Sequence, residues 1–140
     1  MVTWKPSLAT GVSAVDAQHK ELFRQCGLLS EAMSRGQGRQ EVGKILDFLS
    51  QYVVKHFADE EREMERRACP VAEANKQAHA RLLVTFKALK DRFDREGAGP
   101  TLVLEIQRTL SDWLVQHIER IDKQLSDCPP AEKQLAGQGA

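Results

Sequence analysis

Six residues combine metal-binding chemistry with positions where an apolar residue is expected: His19, His56, Glu60, His79, His117 and Asp122. In "HFADEEREME", which starts at His56, a histidine precedes Glu60 by four residues, so the two share one face of a helix. That pair alone could equally be two polar residues of a solvated surface. The rest of the chain shifts the balance. All four histidines lie in or beside apolar stripes, and every predicted helix contributes at least one. An unpaired buried imidazole or carboxylate costs several kcal/mol. Six such groups in one interior therefore call for a shared partner, and a buried metal centre satisfies them together. Imidazole and carboxylate without thiolate fit iron or manganese, and less specifically zinc or copper. Four imidazoles and two carboxylates exceed what one tetrahedral zinc needs, and bridging carboxylates are a usual means of holding two metals close together.

The elements that would position these groups follow from the apolar period. Leu22, Phe23, Cys26, Leu29 and Met33 recur at helical spacing after Ser13 or Asp16, either of which could cap the helix. "RGQGR" (35–39) breaks the pattern. A second helix runs from about Gln40 to Arg67, with Val42, Leu46, Leu49, Val53, His56, Glu60 and Met64 on its stripe. "ACPVAE" then interrupts, and Pro70 suits a first turn. A third helix extends to about Glu96, "EGAGP" (96–100) breaks the chain again, and a fourth helix carries Leu102, Ile106, Leu110, Trp113, His117 and Ile121. Strand signals are weak throughout. The expectation is an all-α, antiparallel up-down-up-down four-helix bundle forming one domain over residues 1–140, with an extended N-terminal arm (1–12) and a frayed tail (about 127–140).

The totals exclude several classes. A chain of 140 residues with 41% hydrophobic content can build its own core without disulfide staples. Twenty basic residues balance twenty acidic ones, which gives no electrostatic argument for a nucleic-acid or anionic-membrane partner. No apolar run approaches the roughly 18 residues of a membrane span, and the N-terminus does not read as a secretory signal. Cys26, Cys69 and Cys128 are an odd, sparse set that does not read as a disulfide framework, and a reducing cytoplasm suits them. Cys26 reads as core, and Cys69 sits at a helix junction.

Trp4, "TGVSAVDAQHKEL" (10–22), "HFADEE" (56–61), Pro70 followed by "NKQAH" (75–79), and "WLVQHIERID" (113–122) together resemble the haemerythrins, most closely the single-domain bacterial members, over roughly residues 4 to 125. The resemblance implies a four-helix bundle holding a non-haem diiron centre, bridged by an oxo or hydroxo group, that binds O2 reversibly. It implies His19 and His56 as ligands of one iron, with an open position for O2, and His79 and His117 as ligands of the other. Glu60 and Asp122 would be the bridging carboxylates. His117 and Asp122 are five residues apart, about 140° around a regular helix. They can flank a two-metal centre, more easily if the helix loosens there. Ile118 resembles the apolar residue lining the O2 pocket.

The chain departs from that family at one position. The family pattern on the third helix is His-x-x-x-His, and here it is Asn75-Lys-Gln-Ala-His79. Asn75 could bind iron weakly through its carbonyl oxygen, hold a water, or leave the position open. The expected function is therefore O2 storage, delivery or sensing rather than enzymatic turnover, in a monomer or weak oligomer. The alternatives are a diiron protein handling peroxide or NO, with Asn75 opening the second iron, and a degenerate iron-binding bundle. Glu61 and Glu63 fall off the His56 stripe and read as solvated surface acids. Asp16 lies near His19 but could serve as a cap or at the surface.

Overall fold

A computed structural model describes residues 3–128. Four helices form it: α1 (Ser13–Ser34), α2 (Arg39–Arg66), α3 (Ala72–Glu96) and α4 (Pro100–Arg120). Short 3-10 helices flank them at Pro6–Leu8 and Asp122–Asp127. There is no strand among the described residues. α1 packs on α2 and α4, and α3 packs on α2 and α4, so sequential helices are neighbours and the ring closes between first and last. That is the antiparallel four-helix bundle the apolar period predicts.

The turns show why the chain reverses where it does. α2 ends on Ala68, whose φ of 52° lies in the left-handed region. The Ala68 N–H donates to the Glu65 carbonyl at 3.0 Å and the Cys69 N–H to the Met64 carbonyl at 3.0 Å. This is the Schellman termination, with alanine where glycine is usual. Gly97 (φ 87°) closes α3, and Pro100 opens α4 with the backbone angle a first turn requires.

α1 starts at Ser13 with Val12 at its N-cap and no side-chain cap, so neither Ser13 nor Asp16 caps it as expected. Asp16 instead accepts hydrogen bonds from the Thr10 N–H and hydroxyl, both at 2.8 Å, and holds the N-terminal arm against the helix start.

One continuous apolar core runs through the bundle and includes Leu22, Phe23, Leu46, Phe57, Phe86, Ile106 and Ile118. A second, smaller cluster joins Val15, Met64, Cys69, Leu125 and Cys128 at one end. There the cysteine reading needs correction. Cys69 and Cys128 form a disulfide with Cα atoms 5.6 Å apart, and only Cys26 is free and buried. Two cysteines 59 positions apart gave no spacing signal, because the pairing is made by the fold and not by a local motif. The frayed tail expected over about 127–140 falls almost wholly outside the described residues. Asp127 closes the second 3-10 helix and Cys128 is buried, while 129–140 lie outside the described residues.

Candidate metal centre

The six polar residues converge at the end of the bundle beside that smaller cluster. His19, Glu60, His79 and Asp122 are at most 1% exposed, His56 is 2% and His117 is 6%. His19 comes from α1, His56 and Glu60 from α2, His79 from α3 and His117 from α4. Asp122 is the first residue of the second 3-10 helix. The five-residue phase problem between His117 and Asp122 disappears because α4 stops at Arg120. Ile121 leaves helical geometry (φ −120°, ψ −58°), and the change of winding turns Asp122 inward.

The atoms divide into two groups that share both carboxylates. His19, His56, Glu60 and Asp122 each place a ligand atom within 4.8 Å of the others, and so do Glu60, His79, His117 and Asp122. Each carboxylate gives one oxygen to each side. Glu60 Oε2 lies 3.2 Å from His19 Nε2 and 3.4 Å from His56 Nε2, while Glu60 Oε1 lies 3.1 Å from His79 Nε2. Asp122 Oδ2 lies 3.1 Å from His19 Nε2, and Oδ1 lies 3.1 Å from His117 Nε2.

The chemistry of these contacts fits a cation between the atoms. His56 Nδ1 faces the Gln18 side-chain carbonyl at 2.7 Å, and His79 Nδ1 faces Glu61 Oε2 at 3.0 Å. Both outer partners accept, so both imidazoles carry their proton on Nδ1 and turn the Nε2 lone pair inward toward carboxylate oxygens. Lone pairs facing lone pairs repel unless a positive charge lies between them. Glu60 Oε1 and Asp122 Oδ1 are buried and receive no hydrogen bond, their histidine neighbours being close but off the angle of one. Burial pulls the His19 pKa down, but its contacts with Asp122 and Glu60 outweigh this and push it up to about 9. Burial alone would raise the Glu60 pKa, yet the hydrogen bond with His19 Nε2 at 3.2 Å leads the contacts that hold it well below the ordinary carboxylate range. Burial pushes His56 down and keeps it neutral. These donors suit a divalent or trivalent first-row metal on each side.

Aromatic packing fixes the rings. Phe57 stacks on His79 with centroids 3.7 Å apart and planes 3° from parallel. Trp113 stacks on His117 at 4.3 Å and 12°. Leu22, Phe23, Val53, Leu82, Leu114 and Ile118 belong to the main apolar core, and Tyr52, Leu83 and Trp113 pack against it partly buried.

Two supporting residues escaped the sequence reading. Glu61 is not a free surface acid: its side chain is 22% exposed and faces His79. Glu63 is also 22% exposed and pairs with Arg67 at 2.7 Å and Arg66 at 3.5 Å. Gln18 had no assigned role, although it orients His56 and donates to Asp59 at 2.9 Å. The available signal was adjacency: Gln18 precedes His19 and Glu61 follows Glu60 by one residue, which places them on the flanks facing a neighbouring helix. His19 Nδ1 has no hydrogen-bond partner, so Asp16 does not orient it.

Residues 10–127 match the family model for the "Hemerythrin HHE cation binding domain". The chain is 35% identical over 130 residues to a bacteriohemerythrin of Methylococcus capsulatus (strain Bath), covering 91% of this chain and 96% of that protein. It is 28% identical over 119 residues to a myohemerythrin of Sipunculus nudus, covering 85% and 86%. Its fold matches a crystal structure of wild-type hemerythrin with a TM-score of 0.81 at 34% identity, covering 91% of this chain and 97% of that one. A bundle with this order of helices, this cluster of buried histidines and carboxylates and this breadth of match belongs to the haemerythrin family.

Proposed function

We infer that this chain holds two iron ions and binds O2 reversibly, as a single haemerythrin domain serving oxygen storage, delivery or sensing. His19 and His56 would hold one iron and His79 and His117 the other, and Glu60 and Asp122 would offer an oxygen to each. The observation that supports this most strongly is the division of each carboxylate, with one oxygen facing each histidine pair. When bound, the iron pair supplies the electrons that make O2 binding reversible.

The protein's own contribution is orientation and dryness. Gln18 and Glu61 fix which ring nitrogen of His56 and His79 faces inward. Phe57 and Trp113 hold the rings of His79 and His117 in plane. Val53, Leu114 and Ile118, all buried, keep water from the centre. The six groups are almost wholly buried, which suits a small diatomic ligand better than a larger substrate, so a carrier fits the site. Asn75 is the observation that favours the second reading, in which peroxide or NO is handled at a less saturated iron.

No helix among the described residues is long and apolar enough to cross a membrane. We place the protein in the cytoplasm. Cys69 and Cys128 are only 5% and 7% exposed, which limits access by cellular thiols to their bond. Thiol trapping in intact cells reads whether the bond persists there.

The deciding experiment is anaerobic loading with Fe(II), followed by iron analysis and visible spectra through cycles of air and deoxygenation. The expected result is two irons per chain with charge-transfer bands that appear and vanish reversibly. One iron, or irreversible bleaching, favours the peroxide or NO reading. No retained iron overturns both.

A further inference from the structure

We propose that Asn75 is itself a metal ligand, giving its Oδ1 to the metal held by His79 and His117, and that this position is exchangeable. The inference rests on the diiron reading above and concerns the one first-turn residue of α3 that is wholly buried yet carries no charge. Asn75 is 0% exposed. Its Oδ1 lies 2.7 Å from His117 Nε2, and that nitrogen lies 3.2 Å from His79 Nε2. Ligand atoms set at right angles on a metal with bonds of about 2.1 Å are about 3 Å apart. Asn75 Oδ1, at 2.7 Å, sits closer to His117 Nε2 than Asp122 Oδ1 does at 3.1 Å, so both oxygens lie within reach of a metal held by that nitrogen. An intervening water would need the amide to stand back by a further hydrogen-bond length, and it does not.

A purely structural role accounts for the carbonyl, which can accept from His117 Nε2 at 2.7 Å, but leaves the NH2 of the amide unexplained. Asn75 Nδ2 is buried without a hydrogen-bond partner. A buried asparagine kept only for packing would satisfy its amide or be replaced by an apolar residue, because an unmet buried donor costs about 1–3 kcal/mol. Its α3 backbone position is already secured by its own N–H donating to the Val71 carbonyl at 2.8 Å, so the side chain is not needed to start the helix. What remains is a carbonyl oxygen aimed at the one place in the interior where lone pairs already converge. A neutral amide oxygen is a weaker donor than imidazole for such metals. The position it fills is therefore the one an incoming small anion takes most readily.

The test uses the full chain loaded anaerobically with Fe(II) and then oxidised, with iron counted as a chelator removes it. Asn75→Ala is expected to release one of its two irons faster than wild type, by at least the ~10–100-fold that an outer-shell partner is worth, and to hold the other unchanged. Asn75→Asp, which places a carboxylate oxygen at the same point, is expected to retain both irons at least as long as wild type. In metal-free protein both substitutions are expected to lower thermal stability, since each disturbs the buried 2.7 Å contact with His117, so the ligand role is read from iron retention. Azide titrated into the oxidised wild type is expected to fill one more position per chain than in Asn75→His. If Asn75→Ala holds both irons at the wild-type rate, Asn75 is not a ligand, although the diiron reading stands. Equal azide stoichiometry in wild type and Asn75→His overturns exchangeability. Wild-type protein that holds no iron overturns the inference together with the reading beneath it. Should Asn75→Ala fail to fold, retention by Asn75→Asp decides alone, and release of one iron faster than wild type overturns the proposal.

Discussion

The two sides of the centre share Glu60 and Asp122 and differ in almost everything that supports their histidines. On the α1–α2 side, His56 is oriented by a neutral amide, Gln18, and His19 Nδ1 has no partner. On the α3–α4 side, His79 is oriented by the carboxylate of Glu61, and both rings are stacked, on Phe57 and Trp113. The side that carries Asn75 is thus the one with the anionic outer partner and the stiffer packing. An anionic acceptor on Nδ1 raises the basicity of the inward nitrogen. The difference teaches that a weak donor on one side is offset by strengthening its neighbour, with no further histidine added.

The largest expected effect removes what the sides share. Glu60→Ala takes an oxygen from both and is expected to abolish retention of both metals, read as iron per chain after gel filtration. Retention of a single iron would show that the two sides are independent. Next in size is the support behind the α3–α4 side. Cys69→Ser with Cys128→Ser is expected to lower unfolding stability by about 4 kcal/mol on the loop-closure argument for a ring of this length, read by urea denaturation. A change below 1 kcal/mol would mean that packing alone holds the Asp122 segment. Glu61→Gln then tests the offset directly. It keeps the shape, removes the charge, and is expected to speed loss of one iron about 10–100-fold, whereas Gln18→Ala should have a smaller effect on the other. Equal effects would erase the asymmetry. The smallest change is Ala68→Gly at the turn leading into α3. Relief of the left-handed backbone is expected to raise stability by up to about 1 kcal/mol, read as a higher midpoint in the same denaturation.

The bundle was legible because its information is local. Apolar residues at three- and four-residue spacing in α1 to α4, broken at "RGQGR" and "EGAGP", specify helices and turns without reference to the rest of the chain. His19, His56, Glu60, His79 and His117 stood out for the same reason, since each interrupts its own apolar stripe. What stayed hidden depends on how the helices sit beside one another. Glu61 is off the inward stripe of α2, and only the packing of α3 against α2 makes it a partner of His79. Gln18 is hidden in the same way between α1 and α2. The end of α4 at Arg120 has no proline or glycine to announce it, so Asp122 looked out of phase until the change of winding was visible. The Cys69–Cys128 bond depends on contact between the α2–α3 turn and the segment beyond α4, two places far apart in sequence.

That bond also changes the connectivity of the molecule. Residues 69 to 128 form a closed covalent ring, with the N-terminal part of the chain attached to it as a branch. Asn75, His79, His117 and Asp122 are all members of the ring, whereas His19, His56 and Glu60 lie on the branch. A protease that cuts the turn at Gly97 or Gly99 therefore opens the ring without dividing the molecule. The nicked protein keeps its full mass on a non-reducing gel and carries every one of these residues on one covalent framework.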